Sequence, residues 1–144
     1  MPTKEEIVLA LGTHIWWKHE FEKAISDGWY FFNPNLAERG YQSEFALWLA
    51  ELCPVEQDSQ QFAKVQSLHA AFREQAENVA RVATSGDIAM AEASIRTGLY
   101  AEAATALTLA LRDWMEAVKA EENHQRLHRV QTKPPNPNRK QLGG

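Results

Sequence analysis

The stretch Leu11-Gly-Thr-His-Ile-Trp-Trp-Lys-His-Glu-Phe21 lies in a long run of helical periodicity and carries a histidine on its apolar side. Apolar residues and this histidine recur three, four or seven residues apart, so they face one direction on a helix. The imidazole of His14 is therefore expected to point into the core, either as a hydrogen-bonded core residue or as a metal ligand. The stripe consists of Ile7, Leu11, His14, Phe21 and Ile25.

The composition is that of one folded domain. The chain has 144 residues, of which 44% are hydrophobic, enough for a single core. Its net charge of −4 comes from interspersed acids and bases, which argues against a nucleic-acid partner. Neither a basic signal region nor an apolar run of membrane-spanning length is present, so we expect a cytoplasmic protein without membrane insertion. The single Cys53 cannot form a disulfide within one chain.

The first helix is predicted from Thr3 to Asp27. Thr3 and Glu6 form a capping-box pattern, and Asp27-Gly28 supplies a stop signal. Gly12 inside this helix costs about 1 kcal/mol relative to alanine. We therefore expect another backbone to pass close to Gly12. The aromatic run at residues 29–32 is interpreted as a connector that caps one end of a helical bundle.

Two further helices follow the connector. A short one is predicted from Ser43 to Leu52 and ends at Cys53-Pro54, because a proline disfavours helical geometry in the residue before it. Asp58 or Ser59 caps the next helix, and Ser85-Gly86 ends it. The inner face of this long helix has the regular spacing of bundle packing. That face consists of Phe62, Val65, His69, Phe72, Ala76, Val79 and Ala83.

The last helix is predicted from Ile88, with Asp87 as its cap, to about Leu127, with a possible bend at Gly98. From residue 129 to 144 the chain holds prolines, asparagines and basic residues without periodicity, which is typical of a flexible tail. The predicted fold is all-α: an antiparallel up-and-down four-helix bundle over residues 1–128, with an additional short helix.

Two histidines, His14 and His69, lie on the inward faces of different helices, which is the minimal arrangement of a metal site in a bundle core. The other histidines are expected at the surface. His19 is five residues from His14 and points away from it, while His124 and His128 lie near the end of the last helix.

Three segments resemble the chemoreceptor zinc-binding domain, a four-helix module of bacterial chemoreceptors and of zinc-controlled diguanylate cyclases. Residues Thr13–Trp17 are similar to the first histidine of the family and the tryptophan after it. Residues Gln42–Leu49 are similar to its Cys-x-Phe-Gly-x-Trp-Leu motif, and Ser67–Arg73 to its closing His-x-x-x-His. The likeness extends from about Thr3 to Val118.

The resemblance implies one zinc ion held by three histidines and one cysteine. His14 and His69 match two of the histidines, whereas Ser43 stands in the position of the cysteine and Arg73 in that of the last histidine. Ala46 replaces the glycine of the motif. A serine hydroxyl is a poor zinc ligand, and an arginine cannot lose its proton. We therefore expect weak or no zinc binding.

The resemblance also implies a stand-alone sensory or regulatory interaction module of bacterial signalling, with a protein partner or a homodimer. A zinc-binding protein that uses His14 and His69 with recruited ligands is the alternative. The sequence holds no nucleophile paired with a base, no inward carboxylate pair and no glycine-rich phosphate loop, so we do not expect an enzyme and keep one only as a third alternative. Arg73 either hydrogen-bonds in the core in place of the metal or extends to the surface.

Overall fold

A computed structural model of the chain describes residues 1–27, 45–56 and 58–132, with side chains up to residue 129. Every regular element in these ranges is a helix, which confirms the all-helical prediction. None of these helices combines the length and apolar character that crossing a membrane requires. The helices are α1 (Lys4–Ser26), α2 (Leu47–Glu56), α3 (Gln60–Thr84), α4 (Ile88–Thr97) and α5 (Leu99–Thr132).

The predicted caps begin three of the helices. At α1 the Glu6 amide donates to the Thr3 hydroxyl and the Thr3 amide donates to the Glu6 carboxylate, both over 3.2 Å. Ser59 caps α3 and Asp87 caps α4 by accepting from backbone amides. Between α3 and α4 the chain turns at Gly86, whose φ of +100° favours glycine. The capping and stop signals at these helix ends are therefore confirmed.

Contacts along α1 and α5 show that these two helices run antiparallel. Near the start of α1, the Lys4 amide donates to the Glu122 carboxylate over 3.2 Å. Towards the other end, the ring of Phe21 stacks on Tyr100 with 5.5 Å between centroids. In the direction in which the residue numbers of α1 increase, those of the contacting residues of α5 therefore decrease.

The helix α3 is also antiparallel to α5. Phe62 contacts Trp114 with 6.2 Å between ring centroids, and Phe72 contacts Tyr100 with 5.3 Å. The predicted inner face of α3 is buried along its whole length. The apolar stripe of α1 is buried as well, except that Leu11 is half-buried and that Trp17 joins the buried face.

The prediction that α2 ends at Cys53-Pro54 is wrong, since the helix continues through Pro54 to Glu56. Pro54 removes the hydrogen bond that would reach the carbonyl of Ala50. Both residues are exposed, so water can satisfy that carbonyl. Glu56, seven residues after the buried Leu49 on the same face, is itself buried and pairs with the amino group of Met1. Tertiary contacts therefore hold the final turn of α2.

Gly98 separates α4 from α5, in agreement with the predicted bend. A Cβ atom at this position would lie 2.8 Å from the Cα atom of Ser94, closer than the Cβ atoms of proteins approach other heavy atoms to which they are not bonded. Gly12 behaves differently. A Cβ atom there would meet nothing within 4 Å, so the expectation that another backbone passes close to Gly12 is wrong. The helix register places Gly12 on the exposed side of α1.

The last helix extends beyond the predicted end near Leu127, because α5 reaches Thr132. The limit is set by Pro134, since helices end at or before the residue that precedes a proline. Arg129 in the last turn complements the negative end of the helix dipole. The remainder of the predicted tail and the aromatic connector lie outside the described residues.

Candidate functional site

His14 lies on the inner face of α1 and has no exposed surface. Its ring meets Phe72 of α3 edge-on, with 4.9 Å between centroids. The imidazole also donates a hydrogen bond to the backbone of Ala104 on α5. A neutral imidazole that donates through one nitrogen carries its lone pair on the other. Contacts from two other helices therefore fix the orientation of His14.

His69 lies on the inner face of α3 with 6% of its surface exposed. The ring of Phe45, just before α2, lies over it with 4.8 Å between centroids and a tilt of 30°. The same phenyl ring is 6.5 Å from the ring of His14. Phe45 thus lies beside both imidazoles, and histidines from two different helices belong to one buried cluster.

Burial lowers the pKa of both histidines. The pKa of His14 falls from 6.5 to about 4, mainly through desolvation, with a smaller lowering by Lys18 and an opposing effect of the Ala104 hydrogen bond. The pKa of His69 also falls to about 4, through desolvation first and then through the charges of Arg73 and His14. Both imidazoles are therefore neutral at pH 7, the form in which histidine binds metals.

Arg73 lies one turn after His69 on α3, and its side chain is 37% exposed. Its Nε atom is 3.7 Å from a carboxylate oxygen of Glu77 on the same helix. The guanidinium still lowers the pKa of His69, so it lies at the margin of the cluster rather than in solvent far from it. Between the two predicted positions of Arg73, this geometry favours the surface one.

The described residues provide an incomplete donor set for zinc. A closed zinc site needs four nitrogen, sulfur or carboxylate donors. Among residues 1–27, 45–56 and 58–129, no three histidine, cysteine or acidic side chains gather at one point. His14 and His69 supply two donors, Cys53 is exposed, and Arg73 brings a positive charge instead of a lone pair. These side chains alone do not fit tetrahedral zinc.

Ser43, which the predicted resemblance places in the position of the cysteine ligand, lies outside the described residues, as does Glu44. Of that motif, Phe45, Trp48 and Leu49 are described, and all three pack into or against the core. Ala46, which replaces the glycine of the motif, is half-buried in the turn that leads into α2. The motif therefore contributes aromatic packing beside the histidines.

The remaining histidines are exposed, as the sequence predicts. His19 lies on the outer side of α1, and His124 and His128 lie on exposed positions of α5. None of them belongs to the buried cluster. The pair His14 and His69 is thus separated by burial from every other histidine of the chain.

Two aromatic residues that are buried near the histidine cluster, Trp17 and Tyr100, were not predicted from the sequence. Trp17 stacks on Phe21 with 4.9 Å between centroids and meets Phe72 edge-on at 5.6 Å. Its position three residues after His14 placed it on the same face, so the spacing contained the signal. Tyr100, fully buried against Phe21 and Phe72, lies four and seven residues before the buried Ala104 and Leu107, so the spacing contained the signal here as well.

A cavity of about 280 Å³ lies between α1 and α2 on the outer side of this cluster. Thr13 and Ala10 of α1 and Phe45 and Trp48 line it. The indole N–H of Trp48 is buried and has no hydrogen-bond acceptor within the described part of the chain. Phe45 therefore forms a wall between this cavity and the histidine pair.

No protein-family model, curated protein or solved structure matches the chain.

Proposed function

We propose that the chain is a sensory or regulatory interaction module of bacterial signalling that resembles the chemoreceptor zinc-binding domain. The observation that carries this proposal is the juxtaposition of His14 and His69 beside Phe45 in the core. The three segments that resemble the family contribute one residue each to this cluster. We further propose that the module is cytoplasmic and acts through a protein partner or as a homodimer.

The helix directions support an antiparallel up-and-down four-helix bundle. The helices α1 and α3 are each antiparallel to α5, as their contacts with Tyr100 and its neighbours indicate. The short helix α2 runs opposite to α1, because Phe45 lies near His14 while Glu56 pairs with Met1. In this arrangement α4 and α5 together form the fourth helix of the bundle, with a bend at Gly98.

In the proposed module the histidine pair binds zinc weakly or not at all. The two imidazoles pack against Phe45 and Phe72, and His14 bonds to Ala104, so aromatic contacts and this hydrogen bond help to hold the rings in place without a metal. Within the described residues no carboxylate or thiol joins the pair, which also supports a role without catalysis.

The second candidate is a zinc-binding protein in which His14 and His69 are completed by recruited ligands. One observation favours it. Both imidazoles are neutral at pH 7 because burial lowers the pKa of each to about 4, so no proton has to be displaced before a metal binds. Recruited ligands, such as waters or groups of a second chain, would then supply the two remaining donors.

The metal content of the purified protein separates the two candidates. We expect well under one zinc per chain by elemental analysis, and little rise in melting temperature when zinc is added. The stabilisation by a ligand grows only with the logarithm of its concentration over Kd and is about 0.4 kcal/mol when the two are equal. Stoichiometric zinc that survives mild chelation would instead establish the second candidate.

Two variants control this experiment. The double change Ser43→Cys with Arg73→His should create tight, stoichiometric zinc binding that His14→Ala then abolishes, if the scaffold is that of the family. The double change His124→Ala with His128→Ala removes an exposed pair that lies four residues apart on α5. Weak zinc binding that disappears in this second variant belongs to the surface and not to the core.

A further inference from the structure

A surface groove of about 670 Å³ lies along α1, where residues of α4 and α5 form its opposite side. Neither His14 nor His69 lines it, so it is separate from the histidine cluster. On α1 the lining extends from Ile15 to Ser26, which corresponds to about 16 Å of helix. This length accommodates two to three turns of a second helix.

The groove carries a surplus of positive charge in a chain whose net charge is −4. Lys18, Lys23 and Arg112 line it together with a single carboxylate, that of Glu22. Lys18 pairs with Glu22 over 2.8 Å. Lys23 and Arg112 are exposed and form no ion pair with any other described residue. Two cations are therefore available to an acidic ligand.

Apolar side chains lie between these cations. Ile15 and Leu109 line the groove while 45% and 51% of their surfaces are exposed, and the half-buried Ile95 of α4 lines it as well. Exposed aliphatic side chains with cations beside them are complementary to a segment that has apolar residues on one face and carboxylates beside them. A small anion would use the cations and leave these aliphatic groups in water.

We propose that this groove binds an amphipathic, acidic α-helix of a partner protein. The apolar face of that helix packs on Ile15, Ile95 and Leu109, and its carboxylates pair with Lys23 and Arg112. The inference rests on the proposed function in assigning the groove to a signalling partner. It does not depend on whether the histidine pair binds zinc, so metal analysis and the binding experiment can fail separately.

The test uses a fluorescently labelled 18-residue helical peptide with leucine at i, i+3, i+4 and i+7 and glutamate beside them. A matched peptide carries glutamine in place of every glutamate. Fluorescence anisotropy with the full chain should show saturable binding of the acidic peptide and at least about tenfold weaker binding of the glutamine peptide. The affinity for the acidic peptide should fall severalfold between 0.05 and 0.3 M salt, because exposed charges are screened.

Matched charge reversals locate the binding. Lys23→Glu with Arg112→Glu should weaken binding of the acidic peptide at least about tenfold. Lys64→Glu with Lys119→Glu makes the same change in net charge at exposed positions outside the groove and should alter binding less than about twofold. Circular dichroism establishes that both variants keep the helical content of the parent.

Three results would overturn the proposal. The first is no saturable binding of the acidic peptide, and the second is an equal loss in both reversal variants. The third is an alternative occupant: citrate, or vesicles that contain phosphatidylglycerol, binds in a manner sensitive to the groove variant while the peptide does not. Saturable binding that the groove variant alone abolishes supports the proposal.

Discussion

The two faces of α1 depart from the usual distribution of residues in opposite ways. On the inner face the polar side chain of His14 is fully buried, whereas on the outer face Trp16 is 64% exposed. His14 is held by a ring of α3 and the backbone of α5, so its environment depends on several helices. Helical register, and not the polarity of the individual side chain, therefore decides which residues of α1 are buried.

The strongest test of this contrast removes a ring from the inner side. Phe72 meets His14, Trp17 and Tyr100, so Phe72→Ala should lower the free energy of unfolding by about 3–5 kcal/mol through lost contacts and a cavity. Trp16→Ala removes a larger ring from the outer face and should change it by about 0.5 kcal/mol or less. Chemical denaturation measures both. Similar losses of stability in the two variants would contradict the difference between the two faces of α1.

Lowering the pH should reduce the free energy of unfolding through the two histidines that are buried on the inner faces of their helices. Each buried histidine has a pKa of about 4 in the folded chain and 6.5 as the ordinary value, so the unfolded chain takes up protons first as the pH falls. Stability is then complete above pH 6.5 and is lost between pH 6.5 and about 4, with no further loss from these groups below that. The loss is about 3 kcal/mol per histidine, and the two are coupled.

The exposed His19 supplies the control for this acid effect. His19→Gln should keep the loss of stability between pH 6.5 and 4.5, as measured by urea denaturation at each pH. His14→Gln with His69→Gln should flatten that part of the profile, whatever its stability at pH 7. A parent protein whose stability stays constant across this interval would contradict the burial of two neutral imidazoles.

Gly12 is a second unusual residue on the outer face of α1. Because a Cβ atom there meets nothing within 4 Å, Gly12→Ala should raise the free energy of unfolding by about 0.5–1 kcal/mol through helix propensity. Gly98→Ala is the matched substitution at a crowded position and should be destabilising, since its Cβ would lie 2.8 Å from the Cα atom of Ser94. Thermal melts of the two variants that shift in the same direction would refute this difference.

The smallest effect on the free energy of unfolding is expected for Arg73, at the margin of the buried histidine cluster. Arg73 is 37% exposed and pairs with Glu77, so Arg73→Ala should cost about 0.5 kcal/mol or less at pH 7. The same change should raise the pKa of His69, because Arg73 lowers it, and should therefore reduce the loss of stability in acid. A cost of about 2 kcal/mol or more would place the guanidinium in the core in place of a metal.

Much of the fold followed from local rules in the sequence. The spacing of Phe62, His69 and Phe72 identified the buried face of α3, and Thr3, Ser59 and Asp87 act as the predicted caps. Periodicity and capping depend on residues three or four positions apart, so both can be read without knowledge of the fold. The burial of His14 and His69 was predicted from this same periodicity.

The errors arose where distant contacts or solvent decide the outcome. Pro54 is tolerated inside α2 because Ala50, whose carbonyl loses its partner, is exposed and because Glu56 is anchored by Met1. Gly12 suggested a close approach that the exposed side of α1 does not have. Two features of the site depend on how three helices meet. One is the proximity of Phe45 to both histidines, and the other is the lowering of both histidine pKa values by burial.

The most direct test of the central claim, a neutral histidine pair in the core, is an NMR titration of the imidazole nitrogens. We expect the rings of His14 and His69 to remain neutral down to about pH 4, and the titration of His69 to depend on His14, because the charge of His14 lowers the pKa of His69. His14→Gln and His69→Gln assign the two signals. Titration of either ring near pH 6.5 in the folded protein would contradict the claim.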